Sequence, residues 1–117
     1  MKYLIFILAI FLVACSPQVS YKTEDVQALA QTVKPEDIII YTVPDCMYCN
    51  QAKGWLKQNN FAFTDCDMSI SQQCQKQFDG YGGNGTPLVV IKKHGKQHIM
   101  TDGFDSDELL IALQGKN

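Results

Sequence analysis

The distribution of apolar residues divides the chain into a short hydrophobic leader and a longer, patterned region. Residues 3–14 are almost wholly apolar, follow the positive charge of Lys2 and end at Cys15. A run of about a dozen residues is too short to cross a bilayer comfortably and is typical of a secretory signal. The polar residues 16–22 that follow indicate a tether.

The next stretch, Thr23–Lys34, has the apolar spacing of an amphipathic helix. Its apolar positions recur three and four residues apart, which places them on one helix face: Val26, Leu29, Ala30 and Val33. Thr23 is predicted to cap this helix, and Pro35 closes the segment. We expect the apolar stripe to pack against the rest of the domain; a partner-binding helix is the alternative.

Strand and helix patterns alternate after Pro35. Strands are predicted at residues 37–42, 61–66, 88–91 and 97–101, and helices at 46–59, 69–78 and 105–114. The strand–helix–strand opening implies a parallel pair with a right-handed crossover, and the closely spaced last two strands imply an antiparallel hairpin. The sequence therefore predicts an α/β domain over residues 35–117, with a mixed four-stranded sheet and helices on both faces.

The end of the leader, Leu12-Val13-Ala14-Cys15, resembles the lipobox of bacterial lipoproteins. The resemblance implies a signal peptide over residues 1–15 and lipidation of Cys15, so that acyl chains anchor the domain to a membrane. It also implies the periplasmic side of the envelope, and Ser16 after the cysteine favours the outer membrane over the inner one. An uncleaved anchor or an ordinary signal peptide is the alternative.

Charge and cysteine content narrow the function further. The net charge is -2 and the ten basic residues form no block, so nucleic acid is not an expected partner. If Cys15 carries lipid, four of the five cysteines remain. An even number in an exported chain favours disulfides, although three pairings are open.

The cysteine pair in Cys46-Met47-Tyr48-Cys49 follows a predicted strand and a turn that contains Pro44. This places Cys46 at a helix N-terminus, where unpaired N–H groups and the helix dipole favour the thiolate. The thiolate is the attacking species in disulfide exchange, and Cys49, one turn further along, can resolve a mixed disulfide. The pattern predicts a redox pair; a metal half-site or a structural bond is the alternative.

Residues 37–114 resemble a glutaredoxin-like member of the thioredoxin superfamily. The resemblance is carried by residues 40–49, by Gly85-Thr86-Pro87 and by residues 102–105, in that order. It implies a thiol–disulfide oxidoreductase with a cis bond before Pro87, along which an extended substrate pairs with the backbone. It further implies a set of substrate-binding residues: Tyr48, Thr86, Pro87, Gly103 and Asp105.

Glutathione is an alternative ligand rather than the expected one. Val43 stands where the family usually has a lysine that meets a glutathione carboxylate, and Asp45 beside Cys46 could either cap the helix or repel an anion. Tyr48 does match the family, and Asp105 could hold the glutathione amine. We therefore expect no cofactor, a protein or peptide thiol as substrate, and a redox partner protein.

Cys66 and Cys74 are eight residues apart, at the end of a predicted strand and in the next helix. A structural disulfide is the expected arrangement. A second redox-active pair and two unpaired thiols are the alternatives.

Two other functions fit parts of the pattern. A copper-handling protein could combine the cysteine pair with soft or borderline ligands: Met47, His94, His98 and Met100. No copper-type spacing is present, so no metal site is predicted. A binding module with a merely structural cysteine pair is the other alternative.

Overall fold

The elements follow the predicted order in the computed structural model, which describes residues 21–115. The helices are α1 Thr23–Gln31, α2 Met47–Gln58, α3 Gln72–Gly80 and α4 Ser106–Leu113. The strands are β1 Ile38–Thr42, β2 Thr64–Asp67, β3 Leu88–Lys93 and β4 Lys96–Met100. The leader and the lipid-bearing Cys15 that the sequence predicts lie outside these residues. Within residues 21–115, no helix is long and apolar enough to cross a membrane.

The sheet is mixed, as predicted, with its four strands in the order β2-β1-β3-β4. β1 runs parallel to β2, with Ile39 opposite Thr64. It runs antiparallel to β3, which forms the predicted hairpin with β4. The hairpin turn is tighter than predicted because His94 and Gly95 both adopt positive φ, at 57° and 70°. Two such residues build the short turn that matches strand twist.

Helices cover both faces of the sheet, which also confirms the prediction. Side chains alternate along β1, so Ile38 and Ile40 enter one buried cluster while Tyr41 enters another. The first cluster also contains buried residues of α1, α2 and α4. The second holds Phe78 of α3. Helix α2, which follows Cys46, and the final helix α4 therefore lie on the same side of the sheet.

The additional helix α1 is part of the main core. Val26 and Ala30 are buried in the first cluster, as the apolar stripe predicts. Its ends differ from the prediction. Thr23 is the first helical residue rather than the cap, since Lys22 occupies the N-cap without a side-chain hydrogen bond. The helix stops at Gln31, and the hydroxyl of Thr32 donates to the Leu29 carbonyl at 2.7 Å.

The end of α2 explains why β2 begins three residues later than predicted. Asn60 adopts a positive φ of 64°. Its N–H donates to the Lys57 carbonyl at 3.1 Å, and the N–H of Phe61 donates to the Leu56 carbonyl at 2.9 Å. This pair of bonds is a Schellman motif. Phe61 therefore closes the helix and enters the core instead of pairing in the sheet.

The glycine-rich segment from Gly80 onward is predicted as a flexible loop, but its first residue still belongs to helix α3. α3 extends to Gly80 and is capped at Ser71, whose hydroxyl accepts from the N–H of Cys74. The helix ends in a second Schellman motif. The N–H of Gly82 donates to the backbone carbonyl of Asp79, and the N–H of Gly83 donates to the backbone carbonyl of Phe78. The chain then turns toward the edge of the sheet where α2 begins.

Candidate active site

Cys46 occupies the position that the sequence predicts, at the N-cap of α2. Asp45 before it has a positive φ of 58°, a conformation that aspartate tolerates better than most residues. The Cys46 sulfur accepts a hydrogen bond from the N–H of Cys49 at 3.1 Å. A helix cap normally uses an oxygen for this bond. Here the first turn of the helix offers its free N–H groups to a sulfur.

The two sulfurs of the pair differ in exposure. Cys46 and Cys49 are joined by a disulfide, with their Cα atoms 5.2 Å apart. Cys49 is 1% exposed, whereas Cys46 is partly exposed. A partner molecule can therefore reach Cys46 but not Cys49.

Thr86 and Pro87 lie directly beside the pair. The Thr86–Pro87 peptide bond is cis, as predicted. The hydroxyl oxygen of Thr86 lies 3.4 Å from the sulfur of Cys46. Pro87 is buried, and β3 starts at the next residue. The fold thus brings a loop 40 residues further along the chain against the reactive sulfur.

A groove with a volume of about 600 Å³ adjoins this point. Helix α2 forms one wall with side chains spaced as one helical stripe: Tyr48, Gln51, Ala52 and Trp55. The loop of Thr86 and Pro87 forms the end near the sulfur. The turn after β4 forms the other wall, from Thr101 to Phe104.

Aromatic packing fixes both walls of the groove. The Trp55 ring stacks on Phe61 with a centroid distance of 5.6 Å, and it meets Phe104 at 5.6 Å in a tilted arrangement. Sequence reasoning missed Gln51 and Trp55 as groove residues, although their spacing from Tyr48 is helical and indicates the same face. Phe104 carries no comparable local signal except its position next to Gly103.

The predicted substrate-binding residues are only partly brought together. Tyr48, Thr86, Pro87 and Gly103 all line the groove. Asp105 is not among the lining residues. Its carboxylate accepts from the N–H of Glu108 at 2.9 Å and caps α4.

Apolar side chains surround the mouth of the site. Met47 is 63% exposed and Tyr48 65% exposed, both next to the cysteines. Val43, in the turn before Cys46, is also exposed. Exposed apolar side chains that cluster in this way are typical of a surface that contacts another molecule.

The side chain of Lys53, one turn after Cys49, forms an ion pair with a residue of the sheet. Its ammonium lies 2.9 Å from Oδ2 of Asp65. The other oxygen of Asp65 accepts from the buried hydroxyl of Thr42. Lys53 therefore faces β2.

Cys66 and Cys74 are joined by a disulfide, with their Cα atoms 5.5 Å apart. The bond links the end of β2 to α3, on the face of the sheet opposite α2. It lies in the cluster that contains Tyr41 and Phe78. The second pair is therefore separated from Cys46 and Cys49 by the sheet.

The ligands considered for copper are dispersed. Met100 is fully buried in the core. Nε2 of His94 lies 3.1 Å from the Leu113 carbonyl oxygen, and Nε2 of His98 lies 2.6 Å from Glu108. Over residues 21–115, no group of three or more histidine, cysteine or acidic side chains is placed to hold a metal ion. Among these residues, His94, His98 and Met100 therefore do not converge on the cysteine pair.

The four-stranded sheet, the cysteine pair at a helix start and the cis-proline define a protein of the thioredoxin class. The family model for glutaredoxin matches residues 38–96, half of the chain, and the chain belongs to the glutaredoxin family. Its domain and cysteine pair support thiol–disulfide exchange as the general activity. No curated protein matches the chain significantly.

Two solved structures illustrate the likeness. A single-site mutant of the thioredoxin-like protein BC3987 is 30% identical, with a TM-score of 0.53; the match covers 70% of this chain and 99% of that one. Glutaredoxin C1 from Populus tremula × tremuloides, in its holo form, is 23% identical with a TM-score of 0.50. That match covers 81% of this chain and 97% of the poplar protein, and it supports the fold alone.

Proposed function

We propose that this chain is a dithiol oxidoreductase that exchanges disulfides with protein or peptide thiols on the periplasmic side of the bacterial envelope. The observation that carries the exchange function is the partly exposed Cys46 sulfur at the start of α2, 3.4 Å from Thr86 and backed by buried Cys49. The export and the lipid anchor on Cys15 are supported by the apolar leader and its lipobox-like end.

The first step is attack by the Cys46 thiolate on one sulfur of a substrate disulfide. The substrate S–S bond breaks, a mixed disulfide with Cys46 forms, and the departing sulfur leaves as a thiolate that takes up a proton. The N–H of Cys49 and the Thr86 hydroxyl, both near the Cys46 sulfur, favour its charged form before attack.

The second step is attack by Cys49 on the Cys46 sulfur. Cys49 loses its proton, the mixed disulfide breaks, and the second substrate thiol is released. The substrate has then gained two electrons, and the Cys46–Cys49 pair has lost them. The same steps in reverse make the oxidised pair a disulfide donor.

The substrate lies along the Thr86–Pro87 loop with its cysteine facing Cys46. The apolar side chains at the mouth of the site, Val43, Met47 and Tyr48, suit contact with a protein surface or an extended peptide. A bound redox partner protein would use the same mouth, because Cys46 is the accessible sulfur of the pair.

Substitution of each cysteine tests the exchange mechanism in the full-length protein in mild detergent. Cys46→Ser should abolish reduction of a disulfide-bonded peptide, and Cys49→Ala should accumulate a covalent peptide adduct that mass spectrometry detects. The matched control is Cys66→Ala with Cys74→Ala, which removes the other pair and should retain exchange. Full turnover by Cys49→Ala without adducts would replace the dithiol mechanism with a monothiol one.

The direction of exchange depends on the reduction potential of the pair. Equilibration against a thiol buffer, followed by alkylation and mass measurement, gives this value. A potential near about −270 mV would indicate a reductase, and one near about −120 mV would indicate a disulfide donor. A pair that does not titrate would contradict the redox function.

Membrane fractionation tests the anchor separately. The wild-type protein should be recovered with the outer membrane and carry acyl chains on Cys15. The Cys15→Ser protein should carry no acyl chains and should no longer be recovered with the outer membrane. Wild-type protein without lipid in the soluble fraction would contradict the lipoprotein proposal and leave the exchange function standing.

A further inference from the structure

The groove beside the cysteine pair carries charge of one sign. Among the residues of 21–115 that line it, the one with an ionised side chain is Asp102. A second carboxylate, that of Asp45, is exposed immediately before Cys46. Lys53, four residues after Cys49, is paired with Asp65 at 2.9 Å. The charged side chains that a peptide meets in and beside the groove are therefore carboxylates.

The walls of the groove also present flat apolar surface. Trp55 and Phe104 pack together with their centroids 5.6 Å apart, so both rings are held in place without a ligand. Tyr48 stands at the mouth with its ring 65% exposed. Such rings bind apolar side chains, and their faces attract cations.

We propose that this groove selects peptide segments whose cysteine is flanked by an apolar side chain and by lysine or arginine. The apolar side chain lies against Trp55 and Phe104, and the cation pairs with Asp102. This specificity rests on the exchange function proposed above, and the redox step is the same two-thiol exchange at Cys46 and Cys49.

The same arrangement disfavours glutathione disulfide. Each arm of that molecule carries two carboxylates and one ammonium group, so it brings net negative charge. Asp102 lines the groove, and the turn before Cys46 contains Val43 and the carboxylate of Asp45 rather than a cation. Like charges brought close together disfavour binding.

Four disulfide substrates test the proposal on the full-length protein in mild detergent. Three are symmetric disulfide dimers of a peptide with one cysteine and one phenylalanine, and they differ at a single flanking position, which is lysine, glutamine or glutamate. The fourth is glutathione disulfide. The kcat/KM for the lysine peptide should exceed that for the glutamate peptide roughly three- to fivefold, as expected of one exposed ion pair. Glutathione disulfide should be the poorest substrate.

Asp102→Asn removes the charge with little change of shape. This substitution should bring the lysine and glutamate peptides to equal kcat/KM. The matched control is Asp79→Asn, an exposed carboxylate on α3, on the other face of the sheet. It changes the net charge equally and should leave the preference intact. Raising the salt concentration from about 0.05 M to about 0.5 M should weaken the preference for the lysine peptide, because dissolved ions shorten the distance over which the Asp102 charge acts.

Fluorescence supplies a measurement that does not depend on turnover. Trp55 is the one tryptophan of the chain and lies in the groove wall. Peptides with serine in place of cysteine should change its emission, and the lysine peptide should saturate at lower concentration than the glutamate peptide. Equal saturation by the two peptides would overturn the assignment of Asp102.

The outcomes separate the two proposals. Exchange with all peptides but no charge preference, or a preference that survives Asp102→Asn, overturns the specificity alone. Exchange with none of the four substrates overturns the proposed function, and this specificity falls with it. A preference for glutathione disulfide over every peptide would also overturn the specificity.

Discussion

The hydroxyl oxygen of Thr86 lies 3.4 Å from the sulfur of Cys46, although 40 residues separate them in the chain. In the reduced protein, a Cys46 thiolate is the hydrogen-bond acceptor and the hydroxyl is the donor. A hydrogen bond to a charged group contributes more than one between neutral groups. Thr86 should therefore help to keep a Cys46 thiolate ionised.

Replacement of Thr86 by valine tests this contact, because the two side chains have nearly the same shape. Thr86→Val should shift the pH midpoint of Cys46 alkylation by iodoacetamide upward. It should also slow exchange at neutral pH roughly three- to tenfold. Thr86→Ser keeps the hydroxyl and should stay close to wild type. A Thr86→Val protein with an unchanged alkylation profile would show that the hydroxyl does not stabilise the thiolate.

The sequence correctly places Cys46 at the start of a helix because the signals that place it are local. A β-branched strand, a turn with Pro44 and a sulfur at the helix start act over a few residues, and β1 and α2 confirm them. The sequence signal that ends α2 at Asn59 is equally local. The sequence does not reveal that Asn60 begins a Schellman motif, so it places β2 too early.

The groove walls are a different case. Trp55 and Phe104 touch only because α2 and the turn after β4 meet in space, and no periodicity predicts that meeting. Whether Asp105 lines the groove or caps α4 likewise depends on where the turn before α4 lies in space. In the structure, Asp105 caps the helix. Family resemblance supplied Thr86, Pro87 and Gly103, and the groove contains all three.

The Cys66–Cys74 disulfide should contribute to stability rather than to exchange. It closes a loop with a sequence separation of 8, for which the chain-entropy model gives about 2.5 kcal/mol. Cys66→Ala combined with Cys74→Ala should therefore lower the free energy of unfolding in urea by about that amount. The reduction potential of Cys46 and Cys49 should not change. A shifted potential in the double variant would instead indicate that the two pairs communicate.

Tyr41 makes the free energy of unfolding depend on pH in the alkaline range. Burial, together with neighbouring Tyr81, raises the pKa of Tyr41 from 10.0 to about 12. The folded protein then holds a proton that the unfolded chain releases. The contribution is complete below pH 10 and is lost as the pH rises through about 12.

Urea unfolding at several pH values, in wild type and in Tyr41→Phe, separates this effect from those of all other side chains, which the two proteins share. The difference in unfolding free energy between them should be constant up to about pH 10 and change above it. Tyr48→Phe is the control, because its exposed ring should leave the curve unaltered. Parallel curves for wild type and Tyr41→Phe across the alkaline range would contradict the role of Tyr41.

Gly83 connects the second core cluster to the loop that ends at Thr86. A Cβ atom at this position would lie 2.5 Å from the Phe78 ring. That ring is buried and packs against Tyr41, with centroids 6.4 Å apart. Gly83→Ala should therefore cost about 1–3 kcal/mol of stability by overpacking.

Gly80→Ala is the matched control for this substitution, since a Cβ there meets nothing within 4 Å and the residue is helical. It should be neutral or stabilise by up to about 1 kcal/mol. Both variants are measured by urea unfolding and by the rate of Cys46 alkylation. If Gly83→Ala slows alkylation while Gly80→Ala does not, the closure of α3 positions Thr86 for the thiolate. If Gly83→Ala is destabilised but alkylates normally, the loop adjusts between Gly83 and Thr86, and the Thr86 contact is set by Pro87 and β3.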